Sequence, residues 1–246
     1  GVLCIVLCAD APVQDDARRL ARAMKQALPA LESAHFCRLK QRPAHALDGA
    51  CSVLLGAATL TDQLLELEFE LSPQSFFQVN AEQTEVLYRI ALEAAQIRSG
   101  MRLLDVYCGA GTISLAAAKM GAQVVGVEIV APAVENAKRN ALRNNLAGRA
   151  RFICGDAARE TPRLIAAGQH FDAAIIDPPR RGADAATLNA LADAGLARIV
   201  YVSCNPSTLA RDVKLLCARG YTLDLVRPVD MFPWTEHVET VALMSR

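Results

Sequence analysis

Four stretches of the chain put reactive side chains where open sheets do their chemistry. Val200-Tyr201-Val202-Ser203-Cys204-Asn205-Pro206 runs from a β-rich segment into a helix start. Its Cys204 thiol therefore stands at a strand tip facing a helix N-terminus, where the helix dipole and unpaired amides favour the thiolate, the form that attacks electrophilic carbon. Ile175-Ile176-Asp177-Pro178-Pro179-Arg180-Arg181-Gly182 ends another strand on an acid. Two prolines fix φ and remove amide donors there, so Asp177 sits on a rigid shelf suited to a flat ring. Near the C-terminus Glu239 lies between Val238 and Val241, an acid on an apolar strand that needs a partner or a task. Leu104 to Thr112 reads as a strand, a turn with Gly109 and Gly111, and a helix start. Glycines let a backbone approach a ligand closely, and Glu128, which ends the next strand, is placed to accept both hydroxyls of a ribose. Ser114 replaces the third glycine of the dinucleotide fingerprint, so the turn and Glu128 fit either NAD or S-adenosylmethionine.

The elements that must position these residues alternate from residue 101 onward. Strands are expected at 102–107, 123–128, 151–154, 171–177, 198–203, 222–227 and 237–244, with helices at 112–120, 132–144, 185–194 and 207–218 between them. Such alternation specifies a doubly wound α/β sheet whose ligands bind beyond the carboxyl ends of the strands. Tyr107, Glu128, Asp156, Asp177 and Cys204 all fall at such ends, which makes them candidates for one shared site. The earlier part of the chain reads as a small α+β unit. It has a strand at 2–7, a helix at 15–28 with Leu20, Met24 and Leu28 on one face, and strands at 51–55 and 64–71. Strict alternation of Leu65, Leu67, Phe69 and Leu71 makes the last a half-buried strand. Ser72-Pro73 then breaks the pattern before a helix at 81–95 carrying Val86, Leu87, Ile90 and Leu92. The domains expected are 1–71, a small α+β domain, and 72–246, the catalytic domain.

Composition narrows the class. The chain has 246 residues, 26 Lys and Arg against 26 Asp and Glu, 52% hydrophobic and 21% charged residues. That excludes a disordered chain. No apolar run is long enough to span a bilayer and no secretory signal is visible, so a cytoplasmic enzyme without a membrane partner is expected. The eight cysteines include no C-x-x-C pair, so reduced thiols are expected and no metal centre. Cys108, Cys154 and Cys217 read as small buried hydrophobes. Zero net charge leaves any nucleic-acid contact to a local basic patch.

Five motifs in order carry a resemblance. Ser75-Phe76-Phe77-Gln78-Val79-Asn80, Asp105-Val106-Tyr107-Cys108-Gly109-Ala110-Gly111-Thr112, Asp177-Pro178-Pro179-Arg180, Ser203-Cys204-Asn205-Pro206, and Asp230-Met231-Phe232-Pro233 through His237-Val238-Glu239 together resemble the bacterial RNA uracil-5-methyltransferase family. The resemblance covers roughly 69–246 and implies the catalytic part of such an enzyme, without the oligonucleotide-binding barrel or iron–sulfur segment that family members usually carry before it. It implies a seven-stranded class I methyltransferase sheet of Rossmann-like type with a final antiparallel strand, and S-adenosylmethionine as cofactor. Gln78, Tyr107, Gly109, Thr112, Glu128, Asp156 and Asp177 would contact that cofactor. Cys204 would be the nucleophile and Glu239 the general base. Gln78, Asp177, Arg180, Arg181 and Phe232 would meet the RNA, with Arg211 a further phosphate candidate. The closing stretch is more similar to members acting on 23S ribosomal RNA than to those acting on transfer RNA, and a monomer is expected. Two other readings stand beside this one: an RNA cytosine-5-methyltransferase, which also uses a cysteine adduct, and a non-catalytic RNA-binding protein on a methyltransferase fold.

Overall fold

The computed structural model describes residues 3–41, 47–73, 78 and 80–246. They form two compact units, Gly1–Asp62 with Glu70–Phe76, and Gln63–Phe69 with Phe77–Arg246. The first unit is built on β1 (Leu3–Ala9), α1 (Gln14–Ala27), β2 (Leu31–Leu39) and β3 (Gly49–Gly56). β2 lies in the middle, parallel to β1 and antiparallel to β3. α1 packs on β2 and β3 through Ala17 and Ala21, and Gln14 Nε2 donates to Ser52 Oγ at 2.9 Å. The expected leucine face is turned out instead, with Leu20 49% and Leu28 44% exposed. Alanine methyls let the helix axis come close to the sheet, and longer chains would hold it off. β2 was not anticipated at all. Buried Ser33 and His35 interrupt its apolar pattern and hide a strand that is the centre of its sheet.

β4 (Leu60–Leu64) and β5 (Leu67–Leu71) pair as a two-stranded sheet. The single strand expected at 64–71 is thus a correction: Leu65 and Glu66 have φ of 52° and 58°, the left-handed pair of a type I′ turn. Buried Leu67 and Phe69 retain the alternation, and Leu65 leaves it to make the turn.

The second unit runs through α2 (Ala81–Ala94), β6 (Arg102–Val106), α3 (Thr112–Lys119), β7 (Gln123–Glu128), α4 (Ala131–Arg143), β8 (Ala150–Cys154), α5 (Ala157–Ala166), β9 (Ala173–Ile176), α6 (Ala185–Asp193), β10 (Arg198–Ser203), α7 (Pro206–Ala218), β11 (Thr222–Val229) and β12 (Glu239–Ser245). α2 buries Leu87 and Leu92, while Val86 faces outward. The seven strands lie in the order β11-β12-β10-β9-β6-β7-β8. β12 runs antiparallel to both its neighbours, and the other strands are parallel. All four residues of β9 and the last five of β10 are buried without alternation, as in a sheet covered on both faces. Leu104, Ile176, Leu191, Ile199 and Tyr201 lie in the resulting core.

Two consequences position the site. The carboxyl ends of β6 to β10 share one edge, and the strand order reverses between β6 and β9. Because β12 is reversed, its first residue, Glu239, arrives at that same edge. The last strand was expected to begin at residue 237. It begins at Glu239 because Thr235 N and Oγ1 both donate to Phe232 O, at 3.2 and 2.8 Å, and His237 N donates to Thr235 Oγ1 at 3.2 Å. Those turns consume the donors that a ladder would need. Among the described residues no helix is long and apolar enough to cross a membrane.

Candidate active site

The glycine turn is held from both sides. Tyr107 N and Cys108 N donate to Val127 O at 2.8 and 3.1 Å, which ties the end of β6 to β7. The chain then reverses through Gly109 and Gly111, with φ of 55° and 83°. A Cβ on Gly111 would stand 3.0 Å from the Phe152 ring, so this glycine lets turn and sheet pack together. A Cβ on Gly109 would meet nothing within 4 Å, so that side of the turn is open for a ligand to approach the backbone. Glu128 is fixed by two amides, accepting from Gly109 N at 3.1 Å and Val130 N at 2.8 Å. Asp156 caps α5 by accepting from Ala158 N at 3.0 Å. Thr112 Oγ1 donates to Tyr88 Oη at 3.1 Å.

Below the turn, Ser114 Oγ donates to Asp105 Oδ2, so the residue that replaces a glycine in the fingerprint holds an acid in place. Asp105 is buried, its Oδ1 has no partner among the described residues, and burial raises its pKa to about 7 against the pull of Ser114. Tyr107 is a non-glycine residue at φ 69°, and its buried hydroxyl lies beside Thr187 and Asp184. A strained backbone above an unpaired carboxylate oxygen marks this turn as a place built for something other than stability.

The second half of the site gathers on β9, β10 and β12. Asp177 N donates to Val106 O at 3.2 Å, so the Asp-Pro-Pro shelf begins directly beside the glycine turn. Ser203 and Thr240 are register partners across β10 and β12. Cys204 directly follows Ser203 and Glu239 directly precedes Thr240, so thiol and carboxyl stand at the same end of the pair, near enough for Glu239 to act on the thiol. Glu239 is only 4% exposed, and no hydrogen bond or ion pair reaches its carboxyl among the described residues. Burial pushes its carboxyl above the ordinary range, and only Arg180 pulls the other way. Burial together with Glu239 and Asp105 pushes Asp177 well up.

The thiol departs from expectation. Burial, then Glu239 and Asp177, raise the pKa of half-buried Cys204, with Arg180 opposing. Two carboxyl groups at the same strand tips outweigh the helix N-terminus, whose cap is already filled by Asn205 accepting from Ser207 N at 3.0 Å. Burial thus shifts the thiol and both acids toward their protonated forms, and a positive charge beside them shifts them back.

The remaining candidates separate. Arg180 is exposed, and its carbonyl, accepting from Asn205 Nδ2 at 3.0 Å and Thr208 Oγ1 at 3.3 Å, anchors the shelf to α7. Arg181 lies 3.9 Å from Asp184. Arg211 Nε donates to Asp212 Oδ1 at 2.7 Å and Nη2 to Arg181 O at 3.0 Å, so it braces the shelf while its side chain stays 57% exposed. Phe232 packs edge-on against His237 at 6.3 Å between ring centres. Gln78 is buried, and Asn80 caps α2 by accepting from Gln83 N while donating to Met231 O at 3.2 Å. The rest of that motif, Ser75, Phe76, Phe77 and Val79, lies outside the described residues. Cys108 is buried as expected, whereas Cys154 and Cys217 are exposed.

With this geometry in place, comparison with known proteins is decisive. Residues 57–246 match the model of the tRNA (uracil-5-)-methyltransferase family. The chain belongs to that family. It is 44% identical over 96% of its length to an uncharacterized RNA methyltransferase of Caldanaerobacter subterraneus subsp. tengcongensis, of which it covers 52%. It is 38% identical over its whole length to one of Enterococcus faecalis, of which it covers 54%. The chain thus spans about half the length of the curated relatives it matches. Among solved structures it is similar to the Pyrococcus abyssi tRNA (uracil-54, C5)-methyltransferase in complex with S-adenosyl-L-homocysteine, with a TM-score of 0.73, 33% identity, and coverage of 87% of this chain and 51% of that one. A putative SAM-dependent methyltransferase from Streptococcus mutans, 13% identical with a TM-score of 0.64 over 94% of this chain and 66% of that one, shares the fold. The sheet is that of a class I methyltransferase.

Two residues that brace this family member's site were missed in the sequence. Asp212 is 2% exposed and accepts from Tyr201 Oη at 2.7 Å and Ala183 N at 2.9 Å, locking the loop after Arg181. Its signal was present: Leu209, Asp212 and Leu216 fall on one buried stripe of α7. Tyr88, under Thr112, lies on the buried face of α2 with Thr84 and Ala91. Burial and nearby Asp177 raise its pKa.

Proposed function

We propose that the protein methylates C5 of a uridine in RNA in the cytoplasm, acting as a monomer with S-adenosylmethionine as methyl donor, through a covalent bond between Cys204 and C6 of the base. The observation that carries this reading is the β10–β12 register, which brings the thiol that follows Ser203 and the buried carboxyl that precedes Thr240 to the same strand ends. The residues fit the cofactor: Gly109 leaves the turn open, Glu128 is oriented by two amides for a ribose, and Asp177 and Glu239 form an acidic surround suited to a cation. Gln78, Tyr107, Thr112 and Asp156 complete that half of the site. S-adenosylmethionine, when bound, supplies an electrophilic methyl group on a sulfonium.

The chain's own residues do the rest. C5 of uracil is a weak nucleophile, and addition of the Cys204 thiolate to C6 makes it an enolate carbon able to attack the methyl group. Glu239 then takes the proton from C5, and the electron pair of that C–H bond re-forms the C5=C6 double bond as the C6–S bond breaks, releasing the thiolate. Asp177 and Gln78 supply hydrogen bonds to the uracil edge or the cofactor amine, and Phe232 supports a base extruded from its stack. Arg180 and Arg181 meet phosphate. The stretch from Asp230 to Glu239 favours 23S ribosomal RNA over transfer RNA.

The test is mass spectrometry of nucleosides after incubation of ribosomal and transfer RNA with labelled S-adenosylmethionine. 5-Methyluridine is expected. 5-Methylcytidine would establish the cytosine enzyme, and unlabelled RNA the non-catalytic protein. Glu128→Ala is expected to weaken binding of S-adenosylhomocysteine about ten- to a hundredfold, the worth of a charge-assisted hydrogen-bond pair. Calorimetric titration reads this, and binding of NADH in preference would reassign the glycine turn.

A further inference from the structure

The only tryptophan of the chain, Trp234, is fully exposed and stands at φ 67°. It occupies the third position of the turn Phe232-Pro233-Trp234-Thr235, closed by Thr235 N donating to Phe232 O at 3.2 Å. Proline second and a left-handed residue third is the pattern of a type II turn, whose third position belongs to glycine or asparagine because a Cβ is strained there. The protein thus puts its largest apolar side chain in a strained conformation and surrounds it with water, a double cost that packing within the described residues does not offset. Strain of this kind is retained where it serves a function.

The loop that carries the ring is fixed at both ends. Asn80 Nδ2 donates to Met231 O at 3.2 Å and Thr84 Oγ1 to Met231 Sδ at 3.7 Å at its start. The hydroxyl of Thr235 ties Phe232 to His237 across its tip, and its far end is Glu239. Trp234 is therefore a projecting flat surface held five residues from the carboxylate assigned above to the C5 proton. From this geometry we infer that Trp234 is a stacking platform for a nucleobase next to the target uridine in single-stranded RNA.

The isolation of the ring favours a base over a protein partner. Pro233, Thr235 and Glu236 around it are exposed and small or polar, and the other exposed large apolar side chains, such as Ile129, Leu142 and Val226, lie on other elements. A protein contact buries a contiguous apolar patch, whereas a nucleobase needs one flat face. Extruding the uridine breaks its stacking, and a neighbouring ring restores part of it to the adjacent base.

The inference rests on the proposal that the substrate is RNA, and its test separates the two. Because Trp234 is the only tryptophan, its emission reports the contact directly in the unmodified chain. Titration with a short uridine-containing oligoribonucleotide that the chain methylates is expected to quench it. Trp234→Ala is expected to raise KM for that RNA, and its Kd, by about ten- to a hundredfold, as loss of one stacked base does, with binding of S-adenosylhomocysteine unchanged. Trp234→Phe should recover most of the affinity. Trp234→Gly removes the strain, so it should raise Tm while still losing RNA affinity, a combination that a structural role would not produce. Unquenched emission with a methylated RNA, or a Trp234→Ala chain of unchanged KM, overturns the stacking role and leaves RNA methylation standing. If no RNA is methylated by the unmodified chain, the functional proposal itself fails, and the stacking role with it.

Discussion

Cys204→Ala is expected to abolish methyl transfer, a fall of more than about 10⁴-fold, and with it every covalent protein–RNA species, because without addition at C6 the C5 carbon never becomes nucleophilic. The substitution removes a half-buried thiol that forms no part of the principal core, so the folded chain and its cofactor binding should survive. The pH dependence of the unmodified chain carries further information. Burial, Glu239 and Asp177 hold the thiol above its ordinary range, and burial does the same for Glu239. Both groups must lose a proton to act, so kcat/KM should rise with pH across a limb displaced upward from that of a free thiol. Arg180 is the positive charge that opposes both shifts, and Arg180→Ala should move the limb to still higher pH. Single-turnover rates with labelled S-adenosylmethionine measure all of this. A Cys204→Ala chain that still makes 5-methyluridine would remove the thiol from the mechanism.

Glu239→Gln separates the two catalytic roles by what accumulates. The amide keeps the shape of the side chain and leaves Cys204 and the glycine turn in place, so addition and methyl transfer should proceed. Proton removal from C5 should slow by about 10²- to 10⁴-fold, the usual worth of a general base. A methylated protein–RNA adduct should then build up, visible as a retarded band on a denaturing gel with labelled RNA. The expectation depends on the environment of Glu239, buried at the start of β12 with no hydrogen bond or ion pair to its carboxyl among the described residues. A carboxylate held by a partner would be a poor proton acceptor. Wild-type turnover without a trapped species would show that another group takes the proton.

Much of the second unit was legible because parallel strands buried on both faces read as unbroken apolar runs. Ile199, Val200, Tyr201 and Val202 could hardly be anything else, and β10 begins and ends where the pattern places it. The first unit was read less well. α1 buries alanines rather than leucines, and β2 carries buried polar residues, so hydrophobicity pointed to the wrong face in one element and concealed the other. At 64–71 the alternation of Leu67 and Phe69 was real, but a two-residue turn preserves period 2 on either side of itself and is invisible to it.

By itself, the sequence determined which residue types stand at the strand tips, since glycine turns, proline shelves and capped helix starts are local chemistry written in adjacent residues. Only the tertiary structure decided what those residues do to one another. The antiparallel insertion of β12 between β10 and β11 is a long-range pairing that no local pattern encodes, and it brings Glu239 to the end of β10 that Cys204 follows. Burial then raises the thiol pKa where the helix N-terminus was expected to lower it, and Glu239 and Asp177 at the same strand ends add to that shift. Likewise only the fold shows that Arg211 braces the loop through Asp212 and the Arg181 carbonyl, partners far from it or hidden from any local pattern.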